Sequence, residues 1–160
     1  MTIVKQIFGN YLLMSALCAW LIAQILKVFT GMFSEQKFSF FKLFFSNGGM
    51  PSSHSATVGA LATVTLLTYG PDSFEFAMAT VFAIIVMYDA MNVRLQTGKQ
   101  GAILNILIKN EDIKAKLDET SRDKWTETIL KEYVGHTPIQ VLIGLILGIV
   151  VGVVITRCLR

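Results

Sequence analysis

Four long apolar stretches, roughly 8–29, 52–70, 74–93 and 138–156, alternate with polar segments along the chain. Each approaches the about 20 residues that an α-helix needs to cross a hydrocarbon layer of about 30 Å, so the pattern predicts four transmembrane helices. Pro71 and Asp72 mark a tight turn between the second and third stretches, which makes that pair an antiparallel hairpin. Small residues recur at every fourth position as Ser15, Ala19 and Ala23 in the first stretch, and as Gly144, Gly148 and Gly152 in the last. Such stripes let helix backbones approach closely in lipid, where dispersion contacts hold helices together.

The intervening segments read differently. Gln100 to Ile108 is apolar but about half the length of a span, and is expected to lie on the surface or to re-enter the membrane. Residues 110–132 mix charges of both signs with Leu117, Trp125, Ile129 and Leu130 at helical spacing, the pattern of an amphipathic cytoplasmic arm. Phe38 to Phe45 reads FSFFKLFF, too short to span and too aromatic for water, and is expected among the lipid headgroups. The predicted fold is all-α: one integral membrane domain over 1–160, a polytopic bundle of about four transmembrane helices with interfacial helices attached.

Composition agrees, since 53% hydrophobic and 16% charged residues in a chain of 160 exceed what a soluble core of that size needs. The net charge of +3 is dispersed, with no basic stripe interleaved with aromatics, so nucleic acid is not an expected partner. Cys18 and Cys158 lie far apart in apolar stretches and imply neither a disulfide framework nor a zinc site. No small-residue cleavage site follows the first apolar run, which is therefore expected to be retained as a span. Basic residues gather in the first connection (Lys37, Lys42) and in the third, from Arg94 and Lys99 through Lys109, Lys114, Lys116, Arg122 and Lys124 to Lys131. Only Lys5, Arg157 and Arg160 fall on the other side, so the positive-inside rule puts both connections in the cytoplasm and both termini outside a cell membrane.

That topology carries five ionisable residues to one face. Lys27 closes the first span, His54 opens the second, Asp89 and Arg94 end the third, and His136 precedes the last. Ionisable groups are disfavoured by about 2.5 kcal/mol or more at mid-bilayer and usually serve a purpose there. Near an interface a blander fate is open to some of them: Lys27 and Arg94 can snorkel, and Asp89 can neutralise Arg94. The run Asn47-Gly48-Gly49-Met50-Pro51-Ser52-Ser53-His54 is a glycine turn entering a helix, with serines able to cap and Pro51 suited to the first turn. Gly135-His136-Thr137-Pro138 repeats that logic. Both histidines thus sit at helix N-termini, whose free N–H groups and positive dipole ends favour an anion, so a phosphate there would meet His54, His136, Ser52, Ser53, Lys27 and Arg94. A metal held by His54, His136 and Asp89 is allowed by residue type but lacks ligand spacing, and no metal or cofactor is expected.

At these residues the chain resembles the divergent branch of the type 2 phosphatidic acid phosphatase superfamily, which is related to vanadium haloperoxidases. The likeness covers nearly the whole chain. It is carried by Ala23-Gln24 with Lys27, by Gly48 through Ala56 (GGMPSSHSA), by Met87-Tyr88-Asp89-Ala90 with Val93-Arg94 and Gly98-Lys99-Gln100, and by Gly135-His136-Thr137-Pro138 with Gln140-Val141. The resemblance implies that Lys27 grips phosphate, Ser52 and Ser53 donate hydrogen bonds to it, His54 protonates the leaving oxygen, and His136 is a nucleophile that forms a phosphohistidine. The chain departs from the usual pattern at several points. Ser53 stands in place of glycine, no arginine-proline pair follows Lys27, and Lys131 is the nearest base before His136. Gln140 stands where an orienting aspartate is usual. Asp89 is expected to replace that carboxylate, and Arg94 the missing phosphate ligand.

Two functions follow from this reading. One is a metal-independent hydrolase of a membrane lipid monoester or diphosphate, such as a phosphatidic acid, phosphatidylglycerol phosphate or polyprenyl diphosphate. The other is a non-catalytic phospholipid or polyprenyl-phosphate binder or transporter built from the same residues, which Gln140 keeps open. Four spans give few helices for a closed pocket, and the glycine-rich faces point to a homo-oligomer.

Overall fold

The computed structural model describes residues 3–32, 49–108, 110 and 136–159. Within these run α1 (Ile3–Phe8), α2 (Tyr11–Met32), α3 (Ser53–Tyr69), α4 (Phe74–Tyr88), a π-helical segment (Asp89–Val93), α5 (Arg94–Ile108) and α6 (Pro138–Leu159). No strand occurs among the described residues, and the chain is an all-α membrane bundle. The expected headgroup segment Phe38 to Phe45 and all but residue 110 of the expected arm at 110–132 lie outside the described residues.

Polar side chains set where the helices begin. Asn10 Oδ1 accepts the Leu13 N–H at 3.1 Å at the start of α2. Ser73 Oγ accepts the Phe76 N–H at 3.2 Å and donates to the Gly70 carbonyl at 2.8 Å, closing the turn between α3 and α4. Each satisfies backbone groups that a helix end leaves without an internal partner.

The centre of the bundle is α3, which packs against α2, α4 and α6. Its core is made of small residues, with Ala19 and Ala23 of α2, Ala56 and Ala60 of α3 and Val151 of α6 in one buried cluster. The glycine stripe of α6 is what lets the backbones meet. A Cβ at Gly144 would strike the Ser52 carbonyl, one at Gly148 the Ala56 carbonyl, and one at Gly152 would lie 2.9 Å from Thr63 Cβ. Both sequences ascend together along this seam, so α3 and α6 are parallel neighbours whose N-termini lie side by side. Gly144, Gly148 and Gly152 are therefore occupied within one chain.

Large apolar side chains point outward, among them Leu17 and Ile25 of α2, Phe82 and Ile85 of α4, and Ile146 and Val150 of α6. In water this would be an extended sticky surface; in lipid it matches the solvent. Three described helical runs are long and apolar enough to cross a membrane: Tyr11–Thr30, Phe74–Leu107 and Pro138–Cys158. The helix α3, at 17 residues, is shorter than the expected span over 52–70. The run that begins at Phe74 differs more. The sequence predicts a span over 74–93 with a separate short helix at 100–108, but helix continues from Phe74 through the π segment to Ile108. No proline interrupts it, and a π turn absorbs one extra residue without breaking backbone bonding. Its 34 residues reach about 50 Å, well beyond a hydrocarbon layer of about 30 Å.

Candidate functional site

Lys27 lies in the C-terminal half of α2 and is 2% exposed. Its methylene stem runs along Gly49, where a Cβ would come within 3.2 Å of Lys27 Cγ, and Gly49 has φ 94°, a conformation open to glycine. Thr30 Oγ1 donates to the Met50 carbonyl at 2.6 Å. The loop of Gly49, Met50 and Pro51, with a cis bond between the last two, is thereby pinned to the end of α2 and leads into Ser52.

Ser52 caps α3 and is fully buried. Its Oγ accepts from the Ser55 N–H at 3.4 Å and from the Ser55 hydroxyl at 3.1 Å, while its own N–H donates to the Gln140 carbonyl at 3.1 Å. That last bond ties the entrance of α3 to the first turn of α6. Ser53 is buried and His54, next on the same turn, is half-buried.

His136 is 1% exposed and stands two residues before α6. Its backbone N–H donates to the Ala90 carbonyl, 3.1 Å away in the π segment. Its ring centroid is 5.9 Å from that of His54, with the planes inclined at 63°. Its Nδ1 lies 3.2 Å from Gln140 Oε1. Thr137 and Gln140 form a reciprocal cap on α6: the Thr137 N–H donates to Gln140 Oε1 at 3.0 Å, and the Gln140 N–H donates to Thr137 Oγ1 at 3.4 Å.

Lys27, Ser52, Ser53, His54 and His136 thus gather at one end of the bundle. Asp89 opens the π segment, adjacent in chain to the residue that anchors His136. Arg94 begins α5 just beyond it, and its side chain lies outside those described. Four contributors escape a reading that looks only for ionisable groups: Gly49, Thr30, the Ala90 carbonyl and the oxygen of Gln140. Thr137-Pro138-Ile139-Gln140 is a legible capping pattern, whereas nothing in the sequence marks a π turn at 89–93.

The electrostatics favour an anion. Each helix N-terminus carries roughly half a positive charge, and parallel packing of α3 with α6 sets two such ends together beside a buried lysine. Among the described residues, Asp89 is the one carboxylate at this end, since Asp72 and Glu75 belong to the opposite turn. Like poles held side by side repel, and an anion bound between them relieves both.

Comparison with known proteins places the chain in a family. The Divergent PAP2 family matches residues 8–151. The chain is also similar to the uncharacterized membrane protein YuiD of Bacillus subtilis (strain 168), 38% identical over 146 residues that cover 89% of this chain and 92% of that protein. No solved structure matches it.

Proposed function

Because the chain belongs to the divergent PAP2 family, we propose that it is a metal-independent phosphatase of membrane lipid monoesters or diphosphates, working through a phosphohistidine. The observation that carries this reading is the approach of His54 and His136 to 5.9 Å where two helix N-termini meet. Reacting atoms must come within about 3–3.5 Å, and rings this close can both reach one phosphorus centre and its leaving oxygen.

In this reading Lys27, Ser52, Ser53, Arg94 and the free N–H groups of the two helix starts hold the phosphate oxygens. A ring nitrogen of His136 forms a bond to phosphorus as the bond to the lipid oxygen breaks, and His54 gives that oxygen its proton. Neutral His54 then takes a proton from water, whose oxygen bonds to phosphorus as the N–P bond breaks. Phosphate leaves with both histidines restored. Asp89 balances the positive charge of the site. The apolar outer faces of α2, α4 and α6 suit a substrate that arrives laterally from the bilayer, and the basic connections favour a cytoplasmic site.

Phosphate release from a panel of lipid phosphates in detergent, with chelator present, tests the proposal. Turnover that survives chelation supports it. Tight binding of the same lipids without turnover supports a lipid-phosphate carrier instead, a reading favoured by the neutral Gln140 beside His136. Chelator-sensitive turnover overturns the metal-independent mechanism.

A further inference from the structure

We propose that Gln140 is the positioning residue that sets the tautomer of His136, presenting Nε2 as the nucleophilic nitrogen. The inference deepens the phosphatase reading and rests on it for its catalytic consequence, but its structural half stands alone.

The Gln140 amide is fixed by a neighbour that admits one orientation. A backbone N–H can only donate, so the atom that meets the Thr137 N–H at 3.0 Å is the amide oxygen. That same oxygen lies 3.2 Å from His136 Nδ1. An oxygen without a proton requires a donor there, so Nδ1 carries the hydrogen and, in the neutral ring, Nε2 carries the lone pair. Turning the amide over would bring an NH2 group against the Thr137 N–H, donor against donor. The same amide oxygen therefore serves the cap on α6 and the orientation of the imidazole.

A carboxylate at position 140 could hold the same proton, but it would also favour the charged ring. Glutamine fixes the tautomer without adding that countercharge. When Nε2 forms its bond to phosphorus, Nδ1 keeps its hydrogen and the positive charge spreads over the ring, with only the amide oxygen against it. The resulting N–P bond is easier to break than one opposite a carboxylate, which favours the hydrolytic step. The other described titratable or charged groups at this end of the bundle are His54 on α3, Lys27 on α2 and Asp89 in the π segment. None changes in the Gln140 and Thr137 variants below, and His54→Gln serves only to assign the histidine signals.

Nitrogen-15 NMR of the histidine rings in the full-length protein in micelles reads the tautomer directly, with His54→Gln used to assign the signals. In the wild type, His136 is expected with Nδ1 protonated and Nε2 bare. Gln140→Leu should shift the ring to the Nε2–H form, and Thr137→Val, which removes the hydroxyl from the cap but keeps the amide, should leave it as Nδ1–H. Gln140→Glu can still cap α6, and should raise the midpoint of the ring titration and the acid limb of the phosphatase pH profile together, by about one to three pH units. A wild-type ring protonated at Nε2, or a titration that Gln140→Glu does not move, overturns the assignment even if Gln140→Leu fails to fold. Absence of lipid-phosphate turnover in the wild type would instead overturn the phosphatase reading, while the ring measurement still decides the role of Gln140.

Discussion

The two ends of the bundle bury polar groups in opposite ways. Towards the end that holds the turn between α3 and α4, three buried hydroxyls bond within their own helices. Ser15 donates to the Leu12 carbonyl at 2.7 Å, Thr65 to Leu61 at 2.6 Å and Thr156 to Gly152 at 2.8 Å. Each is content without a neighbour, so these residues permit close packing and require nothing more. At the other end the bonds run between elements: α2 to the loop, the loop to α6, and the residue before α6 to the π segment. Such cross-bonding holds Lys27, His54 and His136 in one place. Buried polarity therefore identifies a site only where several elements have to cooperate to satisfy it.

Substitutions at the two ends should differ accordingly. Converting His136 to alanine or glutamine is expected to reduce phosphate release by about 10⁴-fold or more, the scale of losing a covalent nucleophile. Undiminished turnover would remove His136 from that role. His54→Ala should lower kcat by about 10²- to 10⁴-fold, with the largest deficit on substrates whose leaving oxygen most needs a proton. Lys27→Met should weaken handling of the phosphate by about 10- to 100-fold in kcat/KM, in line with one charge-assisted hydrogen bond. Gly148→Val drives a side chain into the Ala56 carbonyl and should destabilise the protein by about 1–3 kcal/mol in thermal or denaturant unfolding in detergent. Thr156→Val at the far end, which trades a back-bonded hydroxyl for a methyl, should leave turnover within about 2-fold and stability within about 0.5 kcal/mol.

Much of this contrast is legible in the sequence, and the rest is not for physical reasons. Period-four small residues announce a packing seam, since few other side chains let backbones touch in lipid, and the seam appears as Gly144, Gly148 and Gly152 against α3. Alternate crossing makes the second and fourth stretches run the same way, but hydropathy cannot say that they are neighbours. The contact of α3 with α6, which brings the two histidines together, emerges only from the packed bundle. The continuous run from Phe74 to Ile108 is hidden for a different reason: Asp89, Asn92 and Arg94 lower the apolar signal without breaking the helix. Gln140 reads as a departure from a pattern because sequence registers its lost charge, whereas the structure displays its oxygen in the cap beside His136 Nδ1.

The most direct test of the central claim is to quench turnover of a lipid phosphate labelled with ³²P and ask where the label resides. The account predicts transient label on His136 with the stability of a phosphoramidate, lost in acid and retained in base, absent in His136→Ala, and accumulating when His54 is replaced on a substrate with a good leaving group. Turnover with no labelled enzyme at any time, or label on another residue, would contradict it.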